Sequence, residues 1–286
     1  MKNILLEVYN FIKNPNDERI ENWTLKKNVK YLFAILLFEL IINSLIYIPL
    51  IYFINKVEPV LYETRIDYNN NTFLQSILIM AFIVPIAEEF IFRYLLRYNN
   101  LFSKIINRNK WDFLFKILVY TSILIFGFVH TSNFENNSTF FYCVLPILIS
   151  TQLIGGVFLT FLRVRFNFMT SVISHVLWNG LMTVIPIIIS VFEKPYERIT
   201  DDYALKIEYL NFNTSKPQKF QIDSTSNQIF KIDIEQYSLN HILDSLYQYE
   251  RNREDILINI KLESKTGLTK EKFKNLLFDY DKNELQ

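Results

Sequence analysis

The chain has few of the residues on which many functional sites depend. Its single cysteine, Cys143, excludes an intramolecular disulfide and most cysteine-based metal sites. Only three histidines and five glycines occur among 286 residues, which narrows the candidates for any site. The formal charge is +1, without a large excess of lysine and arginine, so a nucleic-acid partner is not expected.

Long apolar runs are what the sequence does contain. About 20 residues of helix cross a bilayer, and five runs reach or approach that length: 31–53, 73–96, 113–129, 139–162 and 168–192. The first run has no small-residue cleavage signal after it, so we interpret it as an uncleaved anchor. Pro186 would leave the last run as one span or divide it into two. The sequence therefore predicts an all-α polytopic membrane helix bundle with five or six spans.

Lysine and arginine are unevenly distributed among the segments that connect these runs. The first 30 residues carry six of them, whereas the segment 131–138 carries none. Because cytoplasmic loops are enriched in these residues, we expect a multi-pass protein of the cell membrane with a cytoplasmic N-terminus. The frequent use of asparagine, isoleucine, lysine and phenylalanine is typical of an AT-rich bacterium, so we expect a bacterial protein.

The C-terminal part has a different pattern, with short alternating stretches in place of long apolar runs. The alternation indicates strands near 205–209, 228–234 and 256–262. Ser238 and Thr269 are suited to cap the helices that would follow them. We therefore divide the chain into a cytoplasmic N-terminal segment (1–30), a transmembrane core (31–192) and a small soluble α+β appendage (193–286).

Three charged residues interrupt the second apolar run, in the stretch VPIAEEFIFRYLL. Glu88, Glu89 and Arg93 each cost several kcal/mol inside a bilayer unless they are paired, hydrated or facing a cavity. On a helix, Glu89 and Arg93 are four residues apart and can pair. Glu88 points about 100° away from Glu89, so its carboxylate needs a partner from another helix.

Two of the three histidines can supply such partners. His130 ends the stretch FGFVH, and His175 precedes Asn179 by four residues in SHVLWNG, so the last two share a helix face. Each feature alone has a structural interpretation: charges at a membrane interface, an interfacial histidine or a helix-packing amide. We interpret Phe126 as a packing residue, and Glu39 in the first run as structural or facing the bundle.

Together the three motifs are more specific than any one of them. Their order, EExxxR, FxxxH and HxxxN on separate apolar runs, resembles the CAAX-protease and bacteriocin-processing (CPBP, or Abi) family of intramembrane peptidases. The resemblance covers about residues 75–190 and leaves the N-terminal anchor and the tail outside. Other intramembrane proteases lack their signals here: there is no HExxH zinc motif, no Gly-x-Ser for a rhomboid-like serine site and no Gly-Asp pair for a presenilin-like site.

The resemblance implies a role for each matching residue. The expected catalytic residues are Glu88, Glu89, His130, His175 and Asn179, with Arg93 as the structural partner of Glu89. Glu88 would activate a water as general base while His130 positions that water. His175 and Asn179 would donate hydrogen bonds to the developing oxyanion. The expected activity is that of a CAAX prenyl protease-like intramembrane endopeptidase.

Three alternatives stay open at this point, one of them a small-molecule or ion transporter, since carboxylates within a membrane also mark ion paths. A divalent metal such as zinc could activate the water instead, with Glu88, His130 and His175 as ligands and a fourth position open. A non-catalytic membrane binding protein of the bacteriocin-immunity type would use the same pocket without hydrolysis. For the enzyme we expect a membrane-associated peptide or protein as substrate, and we favour a signal or leader peptide over a prenylated one.

The position of these residues along their helices raises a difficulty. At about 1.5 Å per residue, Glu88 lies roughly 22 Å from Phe73, and His130 lies roughly 25 Å from Phe113 on the opposite side of the bilayer. In a hydrocarbon core of about 30 Å the two side chains would not meet. We therefore expect the second run to enter the bilayer after Phe73, or the third to enter near Tyr120.

Overall fold

The computed structural model describes residues 1–62, 72–192, 194–211, 213–214, 216–249 and 255–283. These residues are mostly helical, with one five-stranded antiparallel sheet towards the C-terminus, which confirms the expected fold class. The chain divides into two compact units, Met1–Glu63 with Leu78–Met182, and Thr64–Ile77 with Thr183–Gln286. The domain boundaries drawn above at residues 30 and 192 stay a prediction.

Ten α-helices precede the sheet in the described part of the chain. They are α1 (Lys2–Lys13), α2 (Leu25–Ile42), α3 (Ile48–Val57), α4 (Phe73–Ile77), α5 (Val84–Phe92), α6 (Asn100–Ile105), α7 (Arg108–Val129), α8 (Thr139–Leu148), α9 (Ser150–Arg165) and α10 (Phe168–Val191). A π-helical segment, Asn43–Tyr47, joins α2 to α3, and a second, Leu78–Ile83, joins α4 to α5. A 3₁₀ turn, His130–Asn133, continues α7.

Five helical stretches are long and apolar enough to cross a membrane, among the residues that the structure describes. They are Leu25–Val57, Phe73–Phe92, Arg108–Asn133, Thr139–Arg165 and Phe168–Ile189. α10 continues through Pro186 as one helix, so the last run supplies one span. Large apolar side chains on these helices, such as Leu45, Ile91 and Phe113, are exposed, as a lipid-facing surface requires. The chain is therefore a multi-pass membrane protein.

The contact between α5 and α7 explains how Glu88 and His130 reach one level. Ser122 in the middle of α7 donates a hydrogen bond to the carbonyl of Phe92 at the end of α5 (2.7 Å). From that level Glu88 lies about 6 Å back along α5, and His130 about 12 Å onward along α7. Because consecutive spans run in opposite directions, going back along α5 and going onward along α7 lead towards the same side of the membrane. The difference in depth between Glu88 and His130 is then small enough for their side chains to meet.

The first turns of α7 account for the apparent excess length of that helix. The helical stretch that contains Glu88 begins at Phe73, and the point at which it enters the bilayer stays a prediction. α7 begins at Arg108, and its buried Trp111 and Phe115 belong to one apolar cluster with Val8 and Phe11 of α1. Nε1 of Trp111 also donates to Asp17, just after α1 (2.9 Å), so the N-terminal segment lies beside the start of α7, whereas the hydrogen bond to α5 is made further along, at Ser122.

The C-terminal region contains the sheet and two further helices. Its elements are β1 (Tyr196–Ile199), β2 (Tyr203–Leu210), β3 (Lys219–Ser224), β4 (Gln228–Ser238), α11 (Leu239–Tyr247), β5 (Leu257–Thr269) and α12 (Lys270–Asn283). The strand order is β1-β2-β5-β4-β3, and all neighbours are antiparallel. The buried pairs Ile207–Ile260 and Ile232–Leu262 lie across the three inner strands. These inner strands are the ones that the alternating pattern predicts.

Both predicted helix caps are present in this region. The Ser238 hydroxyl accepts a hydrogen bond from the backbone N–H of His241 (3.0 Å), and that of Thr269 accepts from Lys272 (3.2 Å). The sequence did not indicate the edge strands β1 and β3. Most residues of those two strands are exposed, so neither has an alternation of apolar and polar positions to detect.

Candidate active site

Glu88 lies between the two histidines of the membrane region. Its carboxylate oxygens are 3.8 Å from Nε2 of His130 and 3.4 Å from Nε2 of His175. The side chains of Glu88 and His130 are 19% and 18% exposed and that of His175 is 5% exposed, so the cluster is shielded while two of its members keep access to a small polar ligand. Three separate spans thus bring one carboxylate and two imidazoles together.

Glu89 is fully buried, and both of its carboxylate oxygens have polar partners. Its carboxylate forms an ion pair with Arg93 (2.7 Å) and accepts a hydrogen bond from Nδ1 of His175 (2.9 Å). Ser171 Oγ contacts its second oxygen and also lies 2.9 Å from the carbonyl oxygen of Leu159. These contacts suit a residue that orients His175 and leave Glu88 as the carboxylate with accessible oxygens.

The partners of each imidazole determine which of its nitrogens faces Glu88. Nδ1 of His130 lies 2.6 Å from the carbonyl oxygen of Phe126, which can only accept, so Nδ1 carries the hydrogen. The 3₁₀ turn releases that carbonyl, because the backbone N–H of His130 bonds to Gly127 and Phe128 instead. Glu89 holds Nδ1 of His175 in the same manner. In their neutral forms both rings therefore direct the lone pair of Nε2 towards Glu88.

Phe126 packs against three members of the site. Its ring receives the guanidinium of Arg93 on its face, with Cζ 3.8 Å from the ring centroid. The ring also meets the imidazoles of His130 and His175 edge-on, at centroid distances of 4.8 and 5.8 Å. The interpretation of Phe126 as a packing residue is therefore incomplete, since what it packs against is the candidate site itself.

Asn179 shares a helix face with His175, as its spacing predicts, and its amide has a backbone partner. Nδ2 donates to the carbonyl oxygen of Met80 (3.1 Å), within the π-helical segment Leu78–Ile83. A π-helical turn shifts the backbone register and frees a carbonyl, and such turns recur at functional sites. Asn179 thus ties α10 to the helix that carries Glu88.

The sequence did not single out Ser171, although a signal was present. Ser171, His175 and Asn179 follow one another at intervals of four residues and form a polar stripe along α10. Extending the HxxxN motif by one turn towards the N-terminus would have found the hydroxyl. Glu39 lies elsewhere: it is 8% exposed in α2, and an oxygen of its carboxylate would be 3.5 Å from a Cβ added to Gly155 of α9.

The end of α5 is fixed by another arginine. Arg163 of α9 donates from Nε to the carbonyl oxygen of Arg93 (3.0 Å) and from a terminal nitrogen to that of Tyr94 (2.8 Å). Together with the bond from Ser122 to Phe92, these contacts satisfy the last carbonyl of the helix that carries both glutamates and the carbonyls of the two residues that follow it. The backbone next to the site is thereby held in one position.

A metal would need several of these side chains to converge as ligands. The described residues contain no group of three or more His, Cys, Asp or Glu side chains arranged to hold a metal ion. Glu88, His130 and His175 are nevertheless the residues whose unprotonated oxygen and nitrogen atoms face one another. A water that donates one hydrogen to Glu88 and the other to an imidazole satisfies this arrangement with the groups present.

The central part of the chain matches a known protein family. Residues 70–181 match the family model described as Rce1-like, "Type II CAAX prenyl endopeptidase Rce1-like". The matched range contains every residue of the three motifs and agrees closely with the range 75–190 expected from them. No curated protein and no solved structure gives a significant match to the chain. The match therefore supports the resemblance of residues 70–181 of this multi-pass membrane protein to the CAAX protease (CPBP) family.

Proposed function

We propose that this protein is an intramembrane endopeptidase that hydrolyses a peptide bond near the membrane surface with Glu88 as general base. The observation that carries the proposal is the position of the Glu88 carboxylate, 3.4 Å from one imidazole and 3.8 Å from another on two further helices. An ionisable group inside a membrane span is costly and marks a functional site by default, with its partners on neighbouring helices. The family match to residues 70–181 supports the same class of activity.

The first step is attack by water on the carbonyl carbon of the scissile bond. Glu88 accepts one hydrogen from the water as its oxygen bonds to that carbon, and the carbonyl π electrons move to the oxygen. The second hydrogen stays on the water oxygen and donates a hydrogen bond to Nε2 of His130, which can accept it because the hydrogen of this imidazole is on Nδ1, bound to the Phe126 carbonyl. His130 therefore acts by holding the water in line with its target.

The oxyanion needs hydrogen-bond donors where the charge develops. His175 meets this need at Nε2 only as the imidazolium, because its Nδ1 hydrogen is used by Glu89. Asn179, one turn further along α10, is the second donor in this proposal. Collapse of the tetrahedral intermediate breaks the C–N bond, and Glu88 returns its proton to the leaving amine.

The proposed substrate is a membrane-associated peptide or protein, and a signal or leader peptide is favoured. The peptide must enter between the helices, since a bond in the hydrocarbon region is otherwise shielded from water. We further propose that the N-terminus is cytoplasmic, that the protein resides in a bacterial cell membrane and that the water is held without a metal. The last point is tested by chelation, as described in the Discussion.

The experiment compares the ends of membrane peptides in cells that carry the wild-type protein, Glu88→Gln or Glu21→Gln. Glu21 is an exposed glutamate outside the site and serves as the matched control. We expect one or more new peptide ends in the wild type and in Glu21→Gln, and their loss in Glu88→Gln at equal protein level. Equal cleavage in Glu88→Gln would refute the proposal. A non-catalytic immunity protein would instead keep its protective effect without Glu88.

A further inference from the structure

Phe126 contacts two groups of side chains that hold the two imidazoles from the side away from Glu88. One group is the chain of contacts from Arg93 to Glu89 to His175. The other group is His130, whose Nδ1 hydrogen is bound to the carbonyl oxygen of Phe126. The ring of Phe126 receives the Arg93 guanidinium, and its backbone holds the His130 imidazole.

The stacking on Phe126 compensates for hydrogen bonds that Arg93 lacks. The Arg93 side chain is completely buried, and only one of its terminal nitrogens bonds to Glu89. Nε and the other terminal nitrogen are buried without a hydrogen-bond partner among the described residues. A desolvated guanidinium over an aromatic face is stabilised by the negative face of the ring. The ring of Phe126 is therefore part of what holds Arg93, and through it Glu89, in place.

Gly156 of α9 provides the space in which this stacking occurs. A Cβ at Gly156 would lie 3.2 Å from Cδ1 of Phe126 and 3.6 Å from a terminal nitrogen of Arg93. The first distance is tighter than ordinary packing allows, so a methyl group there would push the ring. The neighbouring Gly155 differs: its Cβ would meet only Glu39, at 3.5 Å, which is an ordinary contact. The two adjacent glycines thus form a matched pair, one against the site and one facing away from it.

We propose that Phe126 and Gly156 are positioning residues that set the two imidazoles relative to Glu88. This inference rests on the proposed function, because it concerns the same site. Neither residue touches the reacting atoms. Phe126 acts through Arg93 and Glu89 on His175 and through its carbonyl on His130, and Gly156 acts by leaving the ring in that position. A small displacement of Phe126 therefore moves both imidazoles at once.

The test uses ¹⁵N-labelled histidine in the full-length protein in lipid nanodiscs, where three histidines give few signals. We expect Gly156→Ala to change the ring signals of both His130 and His175, while His241 in the C-terminal region stays unchanged. Gly155→Ala is the matched control and should leave all three signals in place. Phe126→Leu keeps the backbone carbonyl and removes the aromatic face, and it should change His175 even if Gly156→Ala does not fold.

Activity gives a second readout. In Gly156→Ala and Phe126→Leu we expect kcat to fall about tenfold or more, with KM within about twofold of the wild type. Unchanged His175 signals in both variants, or equal changes in Gly155→Ala, would overturn the inference. Failure of the proposed function is distinguishable from this, since it would appear as the absence of Glu88-dependent cleavage in the wild type, while the histidine signals still decide whether Phe126 and Gly156 position the rings.

Discussion

The membrane region and the C-terminal region place polar and apolar side chains in opposite ways. In the C-terminal region, Gln236 is the one buried polar residue among those described, and the remaining core is apolar. In the membrane region large apolar side chains such as Phe113 are exposed, whereas Glu89 and Arg93 are completely buried. An apolar core with few buried polar groups is typical of a domain in water, and an exposed apolar surface is typical of a domain in lipid. Buried charges in the membrane region are therefore the candidates for a functional site, because an ionisable group inside a membrane span is costly.

Replacement of histidines in the two regions should give the largest contrast. His175→Ala removes the group between Glu88 and Glu89, and we expect cleavage to fall by at least a factor of about 100. His241→Ala in α11 is the matched control, since its side chain is exposed outside the membrane region. The measurement is the rate of substrate cleavage at equal amounts of folded protein. Equal activity of the two variants would contradict the account.

A core substitution in the C-terminal region should lower the stability of the sheet and leave cleavage intact. Leu262 is completely buried in β5, and Leu262→Ala should destabilise the sheet by about 2–5 kcal/mol through lost contacts and a cavity. Hydrogen exchange of peptides from β2, β4 and β5 measures that loss of protection. Under the conditions in which the wild-type sheet is protected from exchange, we expect the Leu262→Ala protein to retain Glu88-dependent cleavage. A parallel loss of cleavage and protection would show that the contrast between the regions is incomplete.

A hydroxyl group beside the site should have a smaller effect on activity. Ser171→Ala removes a contact to Glu89 but leaves Arg93 and His175 in place, so we expect kcat to fall about tenfold, or about 1.4 kcal/mol. KM should change little, because Ser171 does not face the substrate. Ser150→Ala at the start of α9, whose hydroxyl bonds to the carbonyl of Ile147, is the control. A change in KM alone would remove Ser171 from the positioning network.

Loss of a helix cap should have an effect confined to the C-terminal region. Ser238→Ala removes the acceptor for the backbone N–H of His241 and should destabilise α11 by about 1 kcal/mol. Hydrogen exchange in residues 239–247 measures the effect. Ser245→Ala, at an exposed position of the same helix, is the control and should not reduce protection. Equal loss of protection in both variants would mean that the cap contributes nothing.

Removal of metal ions should have the smallest effect. Glu88 and His130 are sufficient to hold and deprotonate a water in the proposed mechanism, so a chelator should leave the cleavage rate within about twofold. Metal analysis of the same purified sample measures whether a divalent metal is bound. A stoichiometric divalent metal together with inactivation by the chelator would replace the proposed mechanism by one in which the metal binds the water.

Much of the fold follows from the sequence because its signals are local. A bilayer sets a minimum length for an apolar helix, so five runs predicted five or six spans, and the continuity of α10 through Pro186 selects five among the described residues. The alternation in β2, β4 and β5 and the caps at Ser238 and Thr269 depend on neighbouring residues and were also predicted. The edge strands β1 and β3 gave no signal, since pairing on one side leaves most of their side chains exposed.

The sequence indicated that three residues of the candidate site meet, but not the contacts that support them. The motif spacing indicated Glu88, His130 and His175, and the structure brings these three together. Two features depend on contacts between distant helices and have no local signal. One is the partner of Asn179, a carbonyl exposed by a π-helical turn. The other is the ring of Phe126, whose role becomes visible only when Arg93 is seen stacked on it.

The most direct test of the central claim, that Glu88 faces both His130 and His175, is the ring ¹⁵N spectrum of the three histidines in Glu88→Gln compared with the wild type. The account predicts that the signals of His130 and His175 both change, since each Nε2 lies within 4 Å of the carboxylate that is removed, and that the signal of His241 does not. A spectrum in which only one of the two membrane histidines responds, or neither, would contradict it.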